Sequence, residues 1–241
     1  MDFAFLGQTF LQLFSGIPLT LQLTAVAFVI ASILAVLIAI IRTRKIPVLD
    51  QIVGFYVFVL RGTPLLVQIF LIYYGLGQFR PTLQSLGLWQ FLRDPYWCSI
   101  LALALNSSAY ASEVLRGGLR SVPVREIETA RAYGMSGLRL YRRIILPIAI
   151  RRALPGYGNE LILMVKATSL TSTITLMEVT GIAAKLISGS FRPVEVFVAA
   201  GVIYLAINFI LTRIIAVIDW WLTPHLRRPK TIAAKLEPTH V

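Results

Sequence analysis

The sequence predicts an all-α integral membrane protein, in which five transmembrane helices carry one charged cytoplasmic loop. Hydrophobic residues make up 57% of the 241 residues and charged residues only 14%, whereas a soluble domain contains about 25% charged residues. Five stretches have about the 20 apolar residues that a helix needs to cross a bilayer. The alternation of polar and apolar residues that is typical of transmembrane β-strands is absent from the sequence. These observations favour a helical bundle.

The five predicted spans form one transmembrane domain, residues 1–222, followed by a polar cytoplasmic tail, residues 223–241. We expect the first span to be retained rather than cleaved as a signal peptide, because no basic residue precedes it. Gly62 and Pro64 interrupt the second span, and we favour a structural hinge there over a ligand contact. An odd number of spans argues against two inverted halves in one chain, so a symmetric pathway needs a second subunit. The spans are residues 17–41, 52–76, 97–115, 154–176 and 194–218, with a loop at 116–150.

The net charge of +12 follows the predicted membrane topology and does not indicate a nucleic-acid partner. Sixteen cations fall in three segments on one side of the bundle, and four fall on the other side. The positive-inside rule then places the N-terminus in the periplasm and the C-terminus in the cytoplasm. The sixteen are Arg42, Arg44 and Lys45, the nine arginines between Arg116 and Arg152, and Arg227, Arg228, Lys230 and Lys235; the four are Arg80, Arg93, Lys185 and Arg192.

Three kinds of chemistry are excluded by composition. The single cysteine, Cys98, cannot form an intrachain disulfide, and the two histidines, His225 and His240, are too sparse for a metal site. The sequence contains no Gly-Lys pair and hence no phosphate-binding loop of the Gly-x4-Gly-Lys-Ser/Thr type. ATP hydrolysis by that chemistry therefore needs another polypeptide.

The segment EIETARAYGMSGLRLYRRIILP, residues 126–147, is a charged insert in an otherwise apolar chain. It predicts two short helices that join at Gly134, which can adopt the left-handed conformation of a helix end. We expect Pro123 in the first turn of the first helix, Ser136 as the cap of the second helix, and Pro147 to interrupt that helix. Taken alone, the insert fits an amphipathic element on anionic lipid, a DNA-reading helix-turn-helix, or a docking element for a soluble partner.

The spacing of this insert resembles the EAA loop of ABC importer membrane subunits, and the resemblance favours the docking element. It implies a short helix that sits in a cleft of the ATPase subunit and transmits nucleotide-driven movement to the spans. The sequence departs from the family pattern only at Thr129, where alanine is usual. The matching residues are Glu128, Thr129, Ala130, Gly134, Ile144, Leu146 and Pro147.

Four further segments resemble the polar amino acid permeases, in particular the subunit type of histidine, arginine or opine uptake. The resemblance implies a permease subunit in a bacterial inner membrane that takes up polar, basic amino acids or opines. It also implies two ATPase subunits that bind ATP and Mg, a second paralogous permease in a heterodimer or homodimer, and a periplasmic amino-acid-binding protein. This chain itself would hold no cofactor. The four segments are residues 16–24, 60–76, 105–123 and 155–170.

Polar residues within spans three and four are the candidates for the substrate pathway. A charged side chain at mid-bilayer costs about 2.5 to 3.5 kcal/mol, so Glu160 should face a wet cavity or a protein partner. It either meets a cationic substrate or pairs with an arginine of a subunit interface. Asn106 and Tyr110 lie one turn apart on one face of span three, where the alternative is close helix packing. Asn159 and Thr168 complete the candidate set.

Two other functions remain as alternatives. A secondary amino acid transporter needs no soluble partner and would leave residues 128–147 unexplained. A membrane-anchored DNA-binding regulator needs an exposed recognition helix and binds duplex in a salt-dependent manner.

Overall fold

The computed structural model describes residues 3–223, and all regular elements in that range are helical, which confirms the predicted fold class. The predicted tail, with its histidines and four cations, lies outside the described residues apart from Thr223. A π-helical turn, Leu71–Gly75, follows the helix Leu65–Phe70, and a second, Tyr141–Ile145, follows the helix Gly137–Leu140. A 3-10 helix, Thr168–Ile174, follows the helix Leu146–Ala167. The helices are α1 Phe3–Phe14, α2 Ile17–Arg44, α3 Leu49–Gly62, α4 Leu65–Phe70, α5 Arg80–Ser85, α6 Trp89–Leu92, α7 Pro95–Arg120, α8 Val124–Ala132, α9 Gly137–Leu140, α10 Leu146–Ala167, α11 Val179–Ser190 and α12 Pro193–Leu222.

Five candidate spans are present when each bent pair of helices is counted as one span. The run from Ala4 to Arg44, α7 and α12 are each long and apolar enough to cross a membrane. Helix α3 and the run from α4 through its π turn are bent by 109° to each other. The run from Gly137 to Ile174 and α11 are bent by 47°. Each bend lies where a few non-helical residues separate two helices, so these two spans are broken rather than smoothly curved.

The contact between α2 and α7 is the most extensive helix pair, and small residues explain it. Alanines recur at every fourth position of α2, so they lie on one face of the helix, and all are buried. Helix α7 contributes its own buried alanines and serines. Small side chains allow two backbones to approach closely, which is the main source of packing between helices in lipid. The α2 alanines are Ala27, Ala31, Ala35 and Ala39.

Helix α1 is an element that the sequence did not predict. Its 12 residues are too few to cross a bilayer, so a search for spans passes over it. It ends in a turn at Ser15 and Gly16 and packs against α11 and α12, where Leu13 is fully buried. A Cβ atom on Gly16 would lie 2.7 Å from the backbone nitrogen of Val179, so the turn requires glycine at this position.

The expectation that Pro147 interrupts a helix is wrong. The helix that contains the start of the fourth predicted span begins at Leu146, and Pro147 lies in its first turn. The N–H of Leu146 donates to the carbonyl of Tyr141, five residues earlier, in the second π turn. The extra residue in this turn accommodates the proline, whose nitrogen has no hydrogen to donate. The second helix of the insert, α9, and α10 therefore belong to one helical run.

The C-terminal end of this run is held by Glu178, which is fully buried and is the N-cap of α11. One carboxylate oxygen accepts the N–H of Gly181 at 2.8 Å, and the other accepts the hydroxyl of Tyr204 in α12 at 2.5 Å. A Cβ atom on Gly181 would lie 2.0 Å from the carbonyl oxygen of Leu176. These contacts join the start of α11 to α12, and sequence reasoning missed them because Glu178 follows the predicted span.

Candidate functional site

A cavity of about 350 Å³ lies between the break of the second span, α7 and α10. It brings together three residues that the sequence singled out on two different spans, namely Asn106, Tyr110 and Glu160. The remaining wall is formed by the break itself and by apolar side chains. The lining residues are Thr63, Pro64, Leu65, Leu103, Asn106, Ser107, Tyr110, Glu160, Leu163, Met164 and Ala167.

Glu160 is the charged residue of this cavity wall. It lies in the middle of α10 and is half-buried. Its carboxylate makes no hydrogen bond and no salt bridge to any side chain in residues 3–223, although Arg61 lies within electrostatic range. A carboxylate in a span is costly unless water, a cation or a donor accompanies it. The cavity is the place where such a companion fits.

The break in the second span is stabilised by two side-chain amides. Pro64 has no N–H, so the carbonyl of Leu60 loses its normal helical partner. The amide nitrogen of Gln68 donates to that carbonyl at 2.9 Å and to the Thr63 hydroxyl at 2.8 Å. The amide nitrogen of Asn106 donates to the same carbonyl at 3.2 Å and to the Gln68 amide oxygen at 2.9 Å. The predicted hinge is thus a well-defined break, and it forms part of the cavity wall.

Gln68 is a residue that sequence reasoning missed. It is only 7% exposed although it lies in an apolar stretch, and it is the link between the break and α7. A buried polar residue within a span, four positions after a proline, was the available signal. The same contacts show that the Asn106 amide nitrogen already donates its hydrogen bonds to residues at the break.

Tyr110 and Ser107 supply the other polar groups of the cavity. The Tyr110 hydroxyl donates to the carbonyl of Arg61 at 3.2 Å, and the Arg61 guanidinium carbon lies 5.1 Å from the centre of the tyrosine ring. The Ser107 hydroxyl is buried without a hydrogen-bond partner among the described residues. It is therefore a free donor and acceptor in the cavity wall, and the sequence alone did not single it out.

The two other candidates of the fourth span do not line this cavity. Asn159 is exposed on the surface of the chain. Thr168 is fully buried, and its hydroxyl donates to the carbonyl of Val165 at 2.7 Å. Lys166 is exposed and forms no ion pair with Glu160. These side chains are close to Glu160 in the sequence, but they point in other directions around the helix and so do not reach the cavity.

The charged insert forms helix α8, a glycine turn and helix α9. Gly134 has φ +76°, the left-handed conformation expected of it. The N–H of Met135 donates to the carbonyl of Ala130 at 3.0 Å, and the N–H of Gly134 donates to that of Arg131 at 2.8 Å. This pair of bonds is the Schellman motif, which ends a helix at glycine. Pro123 precedes α8 as its N-cap, and Ser136 precedes α9 without a side-chain cap bond.

The insert exposes both charged and large apolar side chains. Glu128 and Thr129 are exposed, whereas Ala130 is buried against the rest of the chain. Tyr133 and Leu138, on either side of the turn, are 81% and 80% exposed. Large apolar groups that are so exposed, next to charges, are typical of a protein-docking surface. The remaining motif residues, Ile144, Leu146 and Pro147, continue from α9 into α10.

A charge cluster lies at the same end of the bundle. Glu113 of α7 binds Arg42 of α2 at 2.5 Å and also binds Arg116. Arg42 also approaches Asp50 at 3.7 Å. The cluster links the C-terminal ends of α2 and α7 to the start of α3, and the sequence analysis did not identify Glu113.

These features define a membrane permease whose charged helical insert projects from one end of the bundle. Residues 31–223 match the family described as the binding-protein-dependent transport system inner membrane component. The octopine transport system permease protein OccM of Rhizobium meliloti is 55% identical over 100% of this chain and 99% of its own length. The arginine ABC transporter permease protein ArtM of Escherichia coli is 46% identical over 86% of this chain and 93% of its own. A chain in the crystal structure of an amino acid ABC transporter with histidines superposes with a TM-score of 0.81 at 32% identity and covers 91% of this chain and 98% of that chain.

The chain belongs to this family of inner membrane transport components. It is a membrane-spanning permease subunit of an ABC importer, and it is a transport subunit rather than an enzyme. The family implies an ATPase partner and a binding-protein partner.

Proposed function

We propose that this permease takes up basic amino acids or opines and that Glu160 receives the cationic group of the substrate. The proposal rests on the Glu160 carboxylate, which forms no ion pair among the described residues and lies in the wall of a cavity of about 350 Å³ within the spans. Arg61 lies within electrostatic range, but no cationic side chain in residues 3–223 contacts this carboxylate directly, so the cationic group of a substrate can do so. Relatives that are named for arginine and octopine transport support the same substrate class.

The other pathway groups are Tyr110, Ser107 and the break next to Asn106. The free hydroxyl of Ser107 can bond the polar backbone of an amino acid. The Tyr110 ring already lies against the Arg61 guanidinium, so it offers a cationic substrate only its other face. Asn106 acts chiefly by holding the break in the second span, since its amide nitrogen binds there. Asn159, which is polar and exposed on the same helix as Glu160, faces the second permease subunit in this proposal. Thr168 acts as a packing residue below the pathway.

Transport is driven through residues 116–150. Two ATPase subunits bind ATP and Mg, and the helix with Glu128, Thr129 and Ala130 docks on one of them. The exposed Tyr133 and Leu138 support this role because they offer apolar surface beside the Gly134 turn. The continuous run from α9 through Ile144, Leu146 and Pro147 into α10 provides a rigid connection from the docking site to Glu160. A second, paralogous permease subunit completes the pathway.

The docking element must then lie in the cytoplasm, with the N-terminus in the periplasm. The distribution of cations supports this orientation. In the same proposal residues 1–222 are the transmembrane domain and residues 223–241 are a cytoplasmic tail.

The test of the substrate site is Glu160→Gln, which keeps the volume and removes the charge. The complete importer is reconstituted in proteoliposomes, and uptake of arginine, histidine and glutamine is compared at equal saturation of the binding protein. Arginine uptake should fall about tenfold or more relative to glutamine, because a charged hydrogen bond contributes about 1.5 to 3 kcal/mol. Glu195→Gln, the same substitution at a carboxylate of α12 outside the cavity, is the control for the lost charge. Equal losses for all transported substrates, or none, would assign Glu160 to a subunit interface.

A further inference from the structure

A second cavity, of about 360 Å³, lies between the inner ends of α2 and α7, the second π turn and the start of α10. We call it the inner groove. It shares no residue with the cavity of Glu160. Its lining is apolar except for the hydroxyl of Tyr141. The lining residues are Val36, Ala39, Ile40, Leu115, Leu119, Tyr141, Leu146, Ala149, Ile150 and Ala153.

The inner groove opens to the outside of the bundle. Val36 and Ile40 on one wall and Leu146 and Ile150 on the other are 39% to 47% exposed. Its floor is made of alanines, since Ala39, Ala149 and Ala153 are buried. Small floor residues between larger wall residues leave a slot of the shape that an acyl chain fills. At this depth, next to the charged end of the helices, the slot faces the leaflet on the side of the docking element.

Two exposed arginines lie close in sequence to the residues that line the inner groove. Arg44 follows Val36 and Ile40 at intervals of four residues, so it continues the same face of α2 by one turn. Arg142 follows Tyr141 in the second π turn. Both arginines are exposed and form no hydrogen bond or ion pair within residues 3–223. The neighbouring Arg42, by contrast, is paired with Glu113.

We propose that the inner groove binds one anionic phospholipid of the cytoplasmic leaflet. Its acyl chain lies in the alanine-floored slot, and its phosphate lies between Arg44 and Arg142, within reach of the Tyr141 hydroxyl. Charge complementarity selects this occupant, because basic pockets between helices at the cytoplasmic surface attract acidic headgroups. A lipid here would brace the junction between the second π turn and α10, through which the docking element moves the span. The choice of leaflet rests on the orientation proposed above.

The test is photolabelling of the assembled importer in nanodiscs. Phosphatidylglycerol that carries a diazirine on its acyl chain is compared with phosphatidylcholine that carries the same diazirine. Peptides that contain residues 36–40 and 146–150 should be labelled by phosphatidylglycerol. Each of Arg44→Gln and Arg142→Gln should lower that labelling about fivefold, which corresponds to about 1 kcal/mol for one juxtamembrane cation. Ile150→Trp, which fills the slot from an exposed position, should abolish labelling by both lipids.

The matched control is Arg213→Gln, which removes an exposed arginine from α12, away from the inner groove. It should leave labelling of the groove peptides unchanged. Equal labelling by the two lipids, or labelling that survives loss of both arginines, would overturn the proposal. So would crosslinks from the groove to the second permease instead of to lipid. Nanodiscs expose both leaflets, so a wrong orientation or a wrong substrate site would not affect this result.

Discussion

Replacement of Gln68 with leucine should destabilise the chain at the break of its second span. The leucine keeps the volume of the side chain and removes both amide donors and the amide oxygen. The carbonyl and the hydroxyl of Thr63 then lose the donor that Gln68 supplied. The carbonyl of Leu60 keeps only the longer hydrogen bond from Asn106, and the Asn106 amide loses its acceptor on Gln68. The groups of Leu60 and Thr63 lie at a bend where helical bonds are already missing.

The expected loss follows from the number of groups left without partners. An amide nitrogen has two hydrogens, so Gln68 satisfies two acceptors at a time. A buried acceptor without a donor costs about 1 to 3 kcal/mol, and water in the adjacent cavity lowers that cost. The sum is about 2 to 4 kcal/mol. For a chain of this size, that corresponds to a melting temperature lower by about 4 to 16 °C.

Thermal unfolding of the purified importer in nanodiscs, followed by intrinsic fluorescence, measures this loss. Gln22→Leu is the matched control, because Gln22 is exposed on α2 and makes no hydrogen bond within residues 3–223. A double-mutant cycle with Asn106→Leu should show non-additivity of about 0.5 to 3 kcal/mol, since the two amides contact each other. If the melting temperature of Gln68→Leu equals that of the wild type, or if the effects of the two substitutions are additive, the amides do not stabilise the break.

Three further outcomes are expected. Gly181→Ala should reduce the yield of folded chain, because the new Cβ atom would lie 2.0 Å from a carbonyl oxygen. Gly201→Ala in α12 should not reduce the yield, because nothing lies within 4 Å of its new Cβ atom. Similar yields of the two variants would show that α11 can shift. Gly134→Val should weaken coupling of ATP hydrolysis to transport, because a β-branched residue is strained at φ +76°, and normal coupling would remove the turn from the docking element. Arg125→Cys, in a chain with Cys98→Ala, should resist an impermeant thiol reagent added outside intact cells, and ready labelling would reverse the proposed orientation.

The sequence was sufficient to predict the fold class and the two helices that join at Gly134 in the charged insert. Both depend on local properties: long apolar runs specify spans, and the left-handed turn at Gly134 depends on a residue without a Cβ atom. The interruption near Pro64 was predictable for the same reason, since proline lacks a donor wherever it occurs. Pro147 shows the limit of such rules, because a π turn earlier in the chain accommodates it.

The cavity was decided by tertiary structure. Sequence reasoning identified Asn106, Tyr110 and Glu160 as polar residues in spans, but their meeting depends on how α7 and α10 pack around the bent second span. The same packing leaves Asn159 on the surface and buries Thr168. Helical position alone does not tell which of several neighbouring polar residues faces a cavity.

Gln68 and Glu178 acquire their roles only through contacts with distant residues. Gln68 binds a carbonyl eight positions earlier and an amide of α7, and Glu178 binds a tyrosine of α12. Nothing in the adjacent sequence specifies these partners, because hydrogen bonds across helices depend on the close approach that small residues permit. Local chemistry determined which segments are helical and which turn, whereas the polar groups that share a cavity were determined by packing between helices.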